Sequence, residues 1–280
     1  MHRSRRTKLV LAALLASILA SASFAQTPKN VDQALKAAID GPQRTPAFKL
    51  RDKYRHPLQT LEFFGVRPDM TVIEVLPGAG WFTEILAPFL KHDGALVEAA
   101  PPAKGPMQMG SSFQKKLTSN PQVYGKIRLT PFEPPDYMAL GAPSSADMVL
   151  TFLNMHDLVY FNVHHQVTDA IMQRFFRAAY QALKPGGVLG VVAHRAKAGE
   201  GIGASIKKAR VPQDYVVNEA RRAGFKLSAA SQINANPKDD GSLPIWYLPP
   251  TLALGQKDRA KYLAIGESDD MTLRFVKPKE

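Results

Sequence analysis

The sequence predicts a doubly wound α/β fold, in which a mostly parallel sheet carries helices on both faces. Short apolar runs alternate with helical patterns over most of the chain, and this alternation is typical of βαβ units. The apolar run at residues 71–76 breaks at Pro77-Gly78-Ala79-Gly80, and a helical pattern follows. A glycine turn in that position indicates a ligand site at the carboxyl edge of the sheet.

The apolar runs account for seven predicted strands. They lie at residues 72–76, 95–99, 126–129, 146–154 and 188–193, from Phe225 onward, and at residues 271–278. Only the last two are separated by a long Pro- and Gly-containing segment, at residues 236–268, without a long helical pattern. A connection of that length is typical of a lid or a mobile loop.

Helical periodicity fills most of the remaining chain. We predict helices at residues 30–40, 51–66, 81–90 and about 167–183. The stretch 214–227 predicts a further helix that stops at Gly224. A polar stretch at 105–121 could hold another helix. The chain then divides into a leader at residues 1–25, a helical segment at 26–66 and an α/β domain at 67–280, which carries the 236–268 lid.

The leader has the three-part layout of a signal peptide. A basic segment precedes an apolar run at residues 9–20, and the small residues Ser23 and Ala25 follow it. The apolar run is shorter than the roughly 20 residues that span a bilayer. We therefore predict cleavage near Ala25, no permanent membrane anchor, and a periplasmic or secreted protein.

Composition excludes several classes of partner and site. The chain has a formal charge of +12 and no cysteine, so it has neither disulfides nor thiolate metal sites. Its densest basic region, at residues 207–226, contains Asp214 and Glu219 and no interleaved run of aromatic residues. A solvated helix face explains that region better than nucleic-acid binding. Composition does not indicate an oligomeric state.

The glycine turn suits a nucleotide, but it does not match the dinucleotide fingerprint. Gly78 and Gly80 allow the backbone to approach a ligand closely, and Glu74 lies on the strand that leads into the turn. The third fingerprint position holds Thr83 instead of glycine or alanine. This departure argues against NAD.

A wider set of motifs resembles the class I S-adenosylmethionine-dependent methyltransferases. The set comprises EVLPGAG after the first strand, an acid in the second, ADMVLTFLNMHD at the fourth and LKPGG before the fifth. Together with RDKYRHPLQTLEFFGV and ARRAGFKL, it looks like a bacterial family of predicted methyltransferases that often carry export signals. The resemblance covers residues 51–278 and implies a Rossmann-like sheet of seven strands whose last strand is antiparallel. It also implies S-adenosylmethionine as the cofactor and a small-molecule acceptor, but no particular substrate.

The resemblance assigns cofactor contacts to the turn and the second strand. It places Glu74, Pro77, Gly78, Ala79 and Gly80 in the cofactor motif, and Leu76 stands where the fold usually has its first glycine, so that a leucine there could crowd the cofactor. Glu98 is the candidate carboxylate for the two ribose hydroxyls, although the usual position of that acid could fall on Ala100. The alternative for Glu98 is a solvent-facing glutamate.

The acceptor site is predicted at the ends of the fourth and fifth strands. His156 suits a general base, Asn154 could orient an amine or a hydroxyl, and Asp157 completes the catalytic set. His194 and Arg195 lie on the same rim and could contact an acidic substrate group. Three residues that precede the first strand could fold over the site as part of a lid, namely Tyr54, Arg55 and His56.

Three rival interpretations remain. His156 can be a structural histidine and Asn154 a helix cap. The chain can be an exported, non-catalytic protein of methyltransferase fold that binds another small molecule. A metal site built from His156, His164, His165 and Asp157 is disfavoured because no HExxH-type spacing exists, and we predict no metal.

Overall fold

The computed structural model describes residues 28–102, 109–164 and 170–279. The predicted signal peptide and its cleavage site therefore lie outside the described residues. Across the described parts of the chain, no helix combines the length and the apolar character needed to cross a membrane.

Seven strands form one mixed sheet. They are β1 (Thr71–Val75), β2 (Ala95–Ala100), β3 (Arg128–Pro131), β4 (Ala146–Phe152), β5 (Leu183–His194), β6 (Lys226–Ser231) and β7 (Asp270–Val276). Their order is β3-β2-β1-β4-β5-β7-β6. The first five strands are parallel, and β7 lies antiparallel between β5 and β6. The predicted fold class and its antiparallel last strand are confirmed.

The strand order places a crevice at the carboxyl edge of the sheet. From β1 the chain continues to β2 on one side, while β4 pairs with β1 on the other side. Connections that leave a strand in opposite directions open a crevice at this switch point, where ligands of doubly wound folds bind. The glycine turn after β1 and the start of the next helix lie at this edge.

The helices surround the sheet. They are α1 (Pro28–Asp40), α2 (Pro46–Lys49), α3 (Asp52–Arg55), α4 (Pro57–Phe64), α5 (Thr83–Leu90), α6 (Met109–Ser119), α7 (Pro121–Tyr124), α8 (Met155–His164), α9 (Ala170–Ala182), α10 (Ile202–Ser205), α11 (Gln213–Arg222) and α12 (Arg259–Ile265). Two short 3₁₀ helices lie at Ile206–Lys208 and Ile245–Tyr247.

Several predicted boundaries were wrong. The single helix expected at residues 51–66 is divided at His56, whose φ is 39°, because the following Pro57 disfavours a helical conformation before it and starts α4. The sequence did not reveal α8, and β5 begins at Leu183, before the predicted Pro-Gly-Gly turn. The start predicted near residue 167 for α9 lies outside the described residues.

Two apolar clusters cover the two faces of the sheet. One contains buried residues of α8, α9 and α11, such as Met172 and Phe176. The other contains Leu35 of α1 and Phe64 of α4 together with Ile85 of α5. The N-terminal helices thus share a core with the sheet that follows them, and the predicted division at residue 66 stays a prediction.

The 236–268 segment has a small core of its own. Leu248, Leu252 and Tyr262 form a separate buried cluster. Arg210 fastens this segment to the domain, since its guanidinium donates to Asp239 at 3.0 Å and to the Leu243 carbonyl at 2.9 Å. Arg210 is fully buried, so the solvated face predicted for residues 207–226 was wrong at this position.

Replacing Arg210 by alanine is expected to lower the free energy of unfolding by ~3–5 kcal/mol, because Asp239 would remain buried without its counter-charge. Urea unfolding at neutral pH measures this change. The matched control is Arg67→Ala, which removes an arginine that is 54% exposed and paired with Asp69, itself 62% exposed, and is expected to cost less than ~1 kcal/mol. Equal losses in the two variants would contradict the anchoring role of Arg210.

Candidate functional site

The turn after β1 keeps a left-handed backbone at a leucine. Leu76 has a φ of 53°, a region that non-glycine residues rarely occupy. Its amide donates to the Ala99 carbonyl at 2.8 Å, and its side chain is 8% exposed in the same apolar cluster as Ala99 and Met155. The side chain that was expected to crowd a cofactor therefore lies in the core.

The two glycines of the turn have different surroundings. Gly78 has a φ of 58°, and a Cβ built there would meet no atom within 4 Å. Gly80 has a φ of 79°, and a Cβ there would lie 2.9 Å from Lys116 Cδ and 3.1 Å from Phe113. Gly80 is thus closed off by α6, whereas Gly78 presents open backbone beside the exposed Ala79. Pro77 closes the turn by accepting from the Gly80 amide at 2.9 Å.

Glu84 ties three elements around this turn. Its carboxylate accepts from the Thr45 amide at 2.8 Å, from Thr45 Oγ1 at 2.5 Å, and from Lys116 of α6. Glu84 lies in the first turn of α5, where the helix dipole favours a carboxylate. Sequence reasoning missed it, although an acid in the first turn of the helix was visible.

An apolar cavity of about 190 Å³ adjoins the turn at the ends of β2 and β3. Its lining residues are Ala100, Pro101, Pro102, Phe113, Gln114, Leu129, Thr130 and Pro131. Phe113 belongs both to this lining and to the surroundings of Gly80. The residue at the end of β2 is Ala100, so this position offers no carboxylate to a ribose.

Glu98 forms a buried pair with Glu74. The two residues are directly opposite in the parallel register of β1 and β2, and Glu74 accepts from Thr83 Oγ1 at 2.9 Å. Burial raises the pKa of Glu74 to about 7, and burial together with the neighbouring Glu74 carboxyl raises the pKa of Glu98 well above its usual range. Glu98 is 0% exposed. It is therefore not the solvent-facing glutamate of the alternative, and its contact with ribose stays a prediction.

The glutamate pair predicts a specific pH dependence of stability. A carboxyl whose pKa is raised by folding stabilises the protein fully below its unfolded pKa, and this stabilisation is lost as the pH rises through the folded value. For Glu74 the loss falls between about pH 4.5 and pH 7. Glu98→Gln removes the separate loss that comes from Glu98, whose pKa burial and Glu74 raise. It is therefore expected to make stability fall less steeply above pH 4.5 and to raise the free energy of unfolding at pH 8 by on the order of 2 kcal/mol.

Urea titrations of wild type and Glu98→Gln at several pH values test this expectation. The difference in the free energy of unfolding between the two proteins gives the contribution of the glutamate pair, since both proteins share every other titrating group. A difference that is constant from pH 4 to pH 8 would contradict it.

Asn154 joins the ends of β1 and β4. Its amide nitrogen donates to the carbonyls of Val75 at 2.8 Å and Leu76 at 3.2 Å, and its oxygen accepts from Thr151. Both amide hydrogens therefore have protein acceptors, and the side chain is 5% exposed. These contacts hold the backbone of the turn, so they favour a positioning role over the predicted contact with an acceptor.

A second cavity, of about 290 Å³, opens beyond β4 and β5. Its lining residues are Arg51, Arg55, Leu153, His156, Asp157, His194, Ile245, Trp246, Pro249, Pro250, Thr251, Glu267 and Ser268. The cavity brings together four residues predicted for the site or its cover, namely Arg55, His156, Asp157 and His194. The 236–268 segment supplies its far wall, and its role as a lid stays a prediction.

His194 is held by a carboxylate from the antiparallel strand. Its Nδ1 lies 2.8 Å from Asp270 Oδ1 and 2.7 Å from Ser268 Oγ, and Ser268 Oγ donates to Asp270 at 2.9 Å. Because an ionised carboxylate only accepts, Nδ1 carries the proton and Nε2 is free to accept another one. Sequence reasoning missed Asp270 and Ser268.

His156 lies beside His194, with their ring centroids 5.3 Å apart. Burial and the neighbouring His194 lower the pKa of His156 to about 3, so its imidazole stays neutral and is a weak base. Burial raises the pKa of Asp157 to about 6. These values argue against the base role predicted for His156 and favour the carboxylate-held His194.

Arginines line the outer side of this cavity. Arg51 donates to both carboxylate oxygens of Glu267, at 2.5 Å and 2.9 Å, and Arg55 Nε lies 3.4 Å from the same carboxylate. Burial and the nearby Arg51 lower the pKa of Arg55 to about 10. Glu267 thus anchors the end of the lid segment to Arg55 of α3 and to Arg51, which precedes α3.

The other predicted substrate residues lie near the cavity but point elsewhere. Arg195 donates to Gln232 at 3.0 Å and to the Asp270 carbonyl at 3.2 Å. His56 Nδ1 is 3.3 Å from the Asn234 side chain, and Tyr54 packs against Gly266. Their predicted contacts with substrate stay predictions. Among the described side chains, no group of three or more His, Cys, Asp or Glu could hold a metal ion. The side chains of His164 and His165, which belong to the disfavoured metal set, lie outside that description.

Comparison with known proteins identifies the fold. No protein-family model matches the sequence, and no curated protein matches it. The structure is similar to a SAM-dependent methyltransferase from Aquifex aeolicus, with 14% identity and a TM-score of 0.53 over 88% of this chain and 98% of that one. It is also similar to the [4+2]-cyclase SpnF, with 14% identity and a TM-score of 0.54 over 90% and 95% of the two chains.

A third similar structure is Haemonchus contortus phosphoethanolamine N-methyltransferase 2 in complex with S-adenosyl-L-methionine. The identity is 15% and the TM-score 0.54, over 90% of this chain and 58% of that one. Likeness at this level of identity concerns the fold and not the activity. The chain therefore has the seven-stranded, Rossmann-like α/β fold of the S-adenosylmethionine-dependent methyltransferases.

Proposed function

We propose that the protein is an S-adenosylmethionine-dependent methyltransferase that acts on a small nucleophilic acceptor. The observation that carries the proposal is the placement of two features at one edge of the sheet. The open backbone of Gly78 follows β1. The cavity lined by His194, whose Nδ1 contacts Asp270, follows β4 and β5. Asn154 connects them through its bonds to Val75 and Leu76.

The residues at the first feature fit the cofactor. A side chain at position 78 would fill the space in front of the turn, so glycine there leaves room for the amino-acid end of a ligand. The adjoining cavity, lined by Pro101, Phe113 and Pro131, suits a flat heterocycle. Ala100 lacks the carboxylate expected for the ribose, and the backbone and the cavity would have to provide the affinity.

The chain's own groups supply orientation and proton transfer. S-adenosylmethionine, when bound, supplies an electrophilic methyl group. Asn154 fixes the turn beside β4, and Asp270 orients His194 so that Nε2 accepts a proton from the acceptor. Trp246 and its neighbours in the lid segment shield this cavity from water. Alignment of the acceptor is the main requirement for an in-line displacement.

Calorimetric titration of the purified protein with S-adenosylmethionine and S-adenosylhomocysteine tests the proposal. Binding of both compounds at micromolar concentrations is expected. If the protein binds no adenosine compound, the methyltransferase proposal fails.

A non-catalytic binding protein is the second candidate. It is favoured by Ala100 at the end of β2 and by the complete burial of Glu98, because both deprive a ribose of a free carboxylate. This candidate predicts that the second cavity binds a small molecule while no adenosine compound binds at Gly78.

We also propose that the protein acts in the periplasm or outside the cell. The support is the basic, apolar and small-residue pattern of residues 1–25. Cell fractionation followed by N-terminal sequencing tests it, and we expect a mature protein that begins at Gln26. Recovery of the intact chain from the cytoplasm would contradict this proposal.

A further inference from the structure

The second cavity has one polar wall and one apolar wall. His156, Asp157 and His194 line the polar side, and Ile245, Trp246 and the Pro249-Pro250 pair line the other. At about 290 Å³, its volume is near the lower end of the ~300–1,000 Å³ range of small-molecule sites. The cavity therefore suits a compact ligand with a flat apolar body and a polar end.

The two imidazoles differ in what they offer to this ligand. His194 uses Nδ1 to donate to Asp270, which leaves Nε2 as an acceptor. His156 Nε2 lies 3.4 Å from Asp157 Oδ1, and its Nδ1 is buried without a hydrogen-bond partner among the residues that the structure describes. Because this nitrogen is buried, the imidazole acceptor that a ligand in the cavity can reach is His194 Nε2. That acceptor favours a ligand that donates a hydrogen.

The charges of the cavity disfavour an anionic ligand. Arg51 and Arg55 both contact Glu267, and the carboxylates of Asp157 and Asp270 lie beside the two imidazoles. At the polar wall an incoming carboxylate would meet Asp157 and the imidazole acceptor of His194, which has Asp270 on its other side. A neutral hydroxyl is not repelled by these carboxylates, and it supplies the hydrogen-bond donor that an imidazole acceptor requires.

We propose, building on the methyltransferase function above, that the acceptor is a small neutral aromatic alcohol, a phenol or a catechol, whose ring lies against Trp246 and whose hydroxyl donates to His194 Nε2. In the reaction, the hydroxyl proton passes to Nε2 as the oxygen forms a bond to the methyl carbon. The bond between that carbon and sulfur breaks, and its electron pair stays on sulfur. The products are an aryl methyl ether, S-adenosylhomocysteine and a proton held on His194.

Three ring compounds of matched shape test the proposal: 4-methylphenol, 4-methylbenzoate and 4-methylaniline. Their binding is measured by calorimetry on the wild-type protein, with and without saturating S-adenosylhomocysteine, and transfer of labelled methyl from S-adenosylmethionine is followed by isolation of 4-methylanisole. We expect the phenol to bind at least tenfold more tightly than the benzoate and to be the compound that is methylated.

Trp246→Ala is expected to weaken binding of 4-methylphenol at least fivefold and to leave binding of S-adenosylhomocysteine unchanged. The control is Leu254→Ala, which removes an exposed side chain of the same segment. Trp246→Phe, which keeps a ring, is expected to retain most of the phenol affinity and guards against a folding defect in the alanine variant.

The outcomes separate this proposal from the proposed function. Tighter binding of the benzoate or the aniline, or no binding of any ring compound while S-adenosylhomocysteine binds, would overturn the acceptor class and leave the methyltransferase proposal standing. Binding of the phenol without binding of any adenosine compound would support the site and overturn the methyltransferase proposal.

Discussion

Replacing His194 by glutamine is expected to lower kcat for methyl transfer to a hydroxyl acceptor by about 10²–10⁴-fold, which is the usual contribution of a positioned general base. Glutamine keeps polarity and approximate size but cannot take the acceptor proton. Because His194 lies in the second cavity and not at the glycine turn, the affinity for S-adenosylhomocysteine is expected to stay within about twofold. Initial rates with labelled cofactor and calorimetry measure the two quantities.

Two further variants complete this test. Asp270→Asn replaces the carboxylate that accepts the His194 Nδ1 hydrogen. Like His194→Gln, it is expected to lower kcat, and it is also expected to change the pH profile of the rate. His92→Gln alters an exposed histidine outside the second cavity and is expected to have no effect. If His194→Gln retains the wild-type rate while His156→Gln loses it, the assignment of the base to His194 is wrong.

Replacing Gly78 by valine is expected to weaken S-adenosylhomocysteine binding by about 100-fold, or ~2.7 kcal/mol. The φ of 58° is unfavourable for a β-branched residue, and the side chain would occupy the open space in front of the turn. Calorimetry measures the affinity, and urea unfolding measures the accompanying loss of stability.

The control for this substitution is Gly199→Val. Gly199 also has a positive φ, of 78°, and open space around it, but it lies in an exposed loop after β5. It is expected to suffer a similar backbone strain without any loss of cofactor affinity. Equal affinities of Gly78→Val and wild type would place the ligand away from the turn.

The sequence allowed prediction of features that depend on local pattern. Apolar runs of strand length and the break at Gly78 and Gly80 identify β1 and the turn, and the same reasoning located β4 and β7 to within a few residues. The spacing of apolar residues and the residue types that favour turns both concern neighbouring positions. A single sequence therefore shows them.

The site's most important contacts depend on distant residues. Asp270 and Ser268 reach His194 because β7 runs antiparallel to β5, with His194 opposite Asp270 in the register. Glu267, just before β7, contacts Arg51 across 216 positions of the chain. No local signal marks such pairs, because the choice of partner follows from sheet order and register.

Glu98 illustrates a different limit of sequence reasoning. The sequence predicts that Glu98 lies on the second strand. Whether its side chain contacts a ligand or another side chain depends on the residue opposite it on the neighbouring strand. The parallel register places it beside Glu74, and two buried carboxyls in contact favour a shared proton over a free carboxylate. The environment of Glu98 therefore follows from the pairing of β1 with β2. The alternation of residues along β2 alone does not predict it.

Hydrogen–deuterium exchange with and without S-adenosylhomocysteine tests the central claim most directly, since it reports where the ligand binds. We predict slower exchange of backbone amides at residues 76–82 and in α6, with no change in α1. The glycine turn would then be the cofactor site beside the His194 cavity. Unchanged exchange at residues 76–82 under saturating ligand would contradict the account.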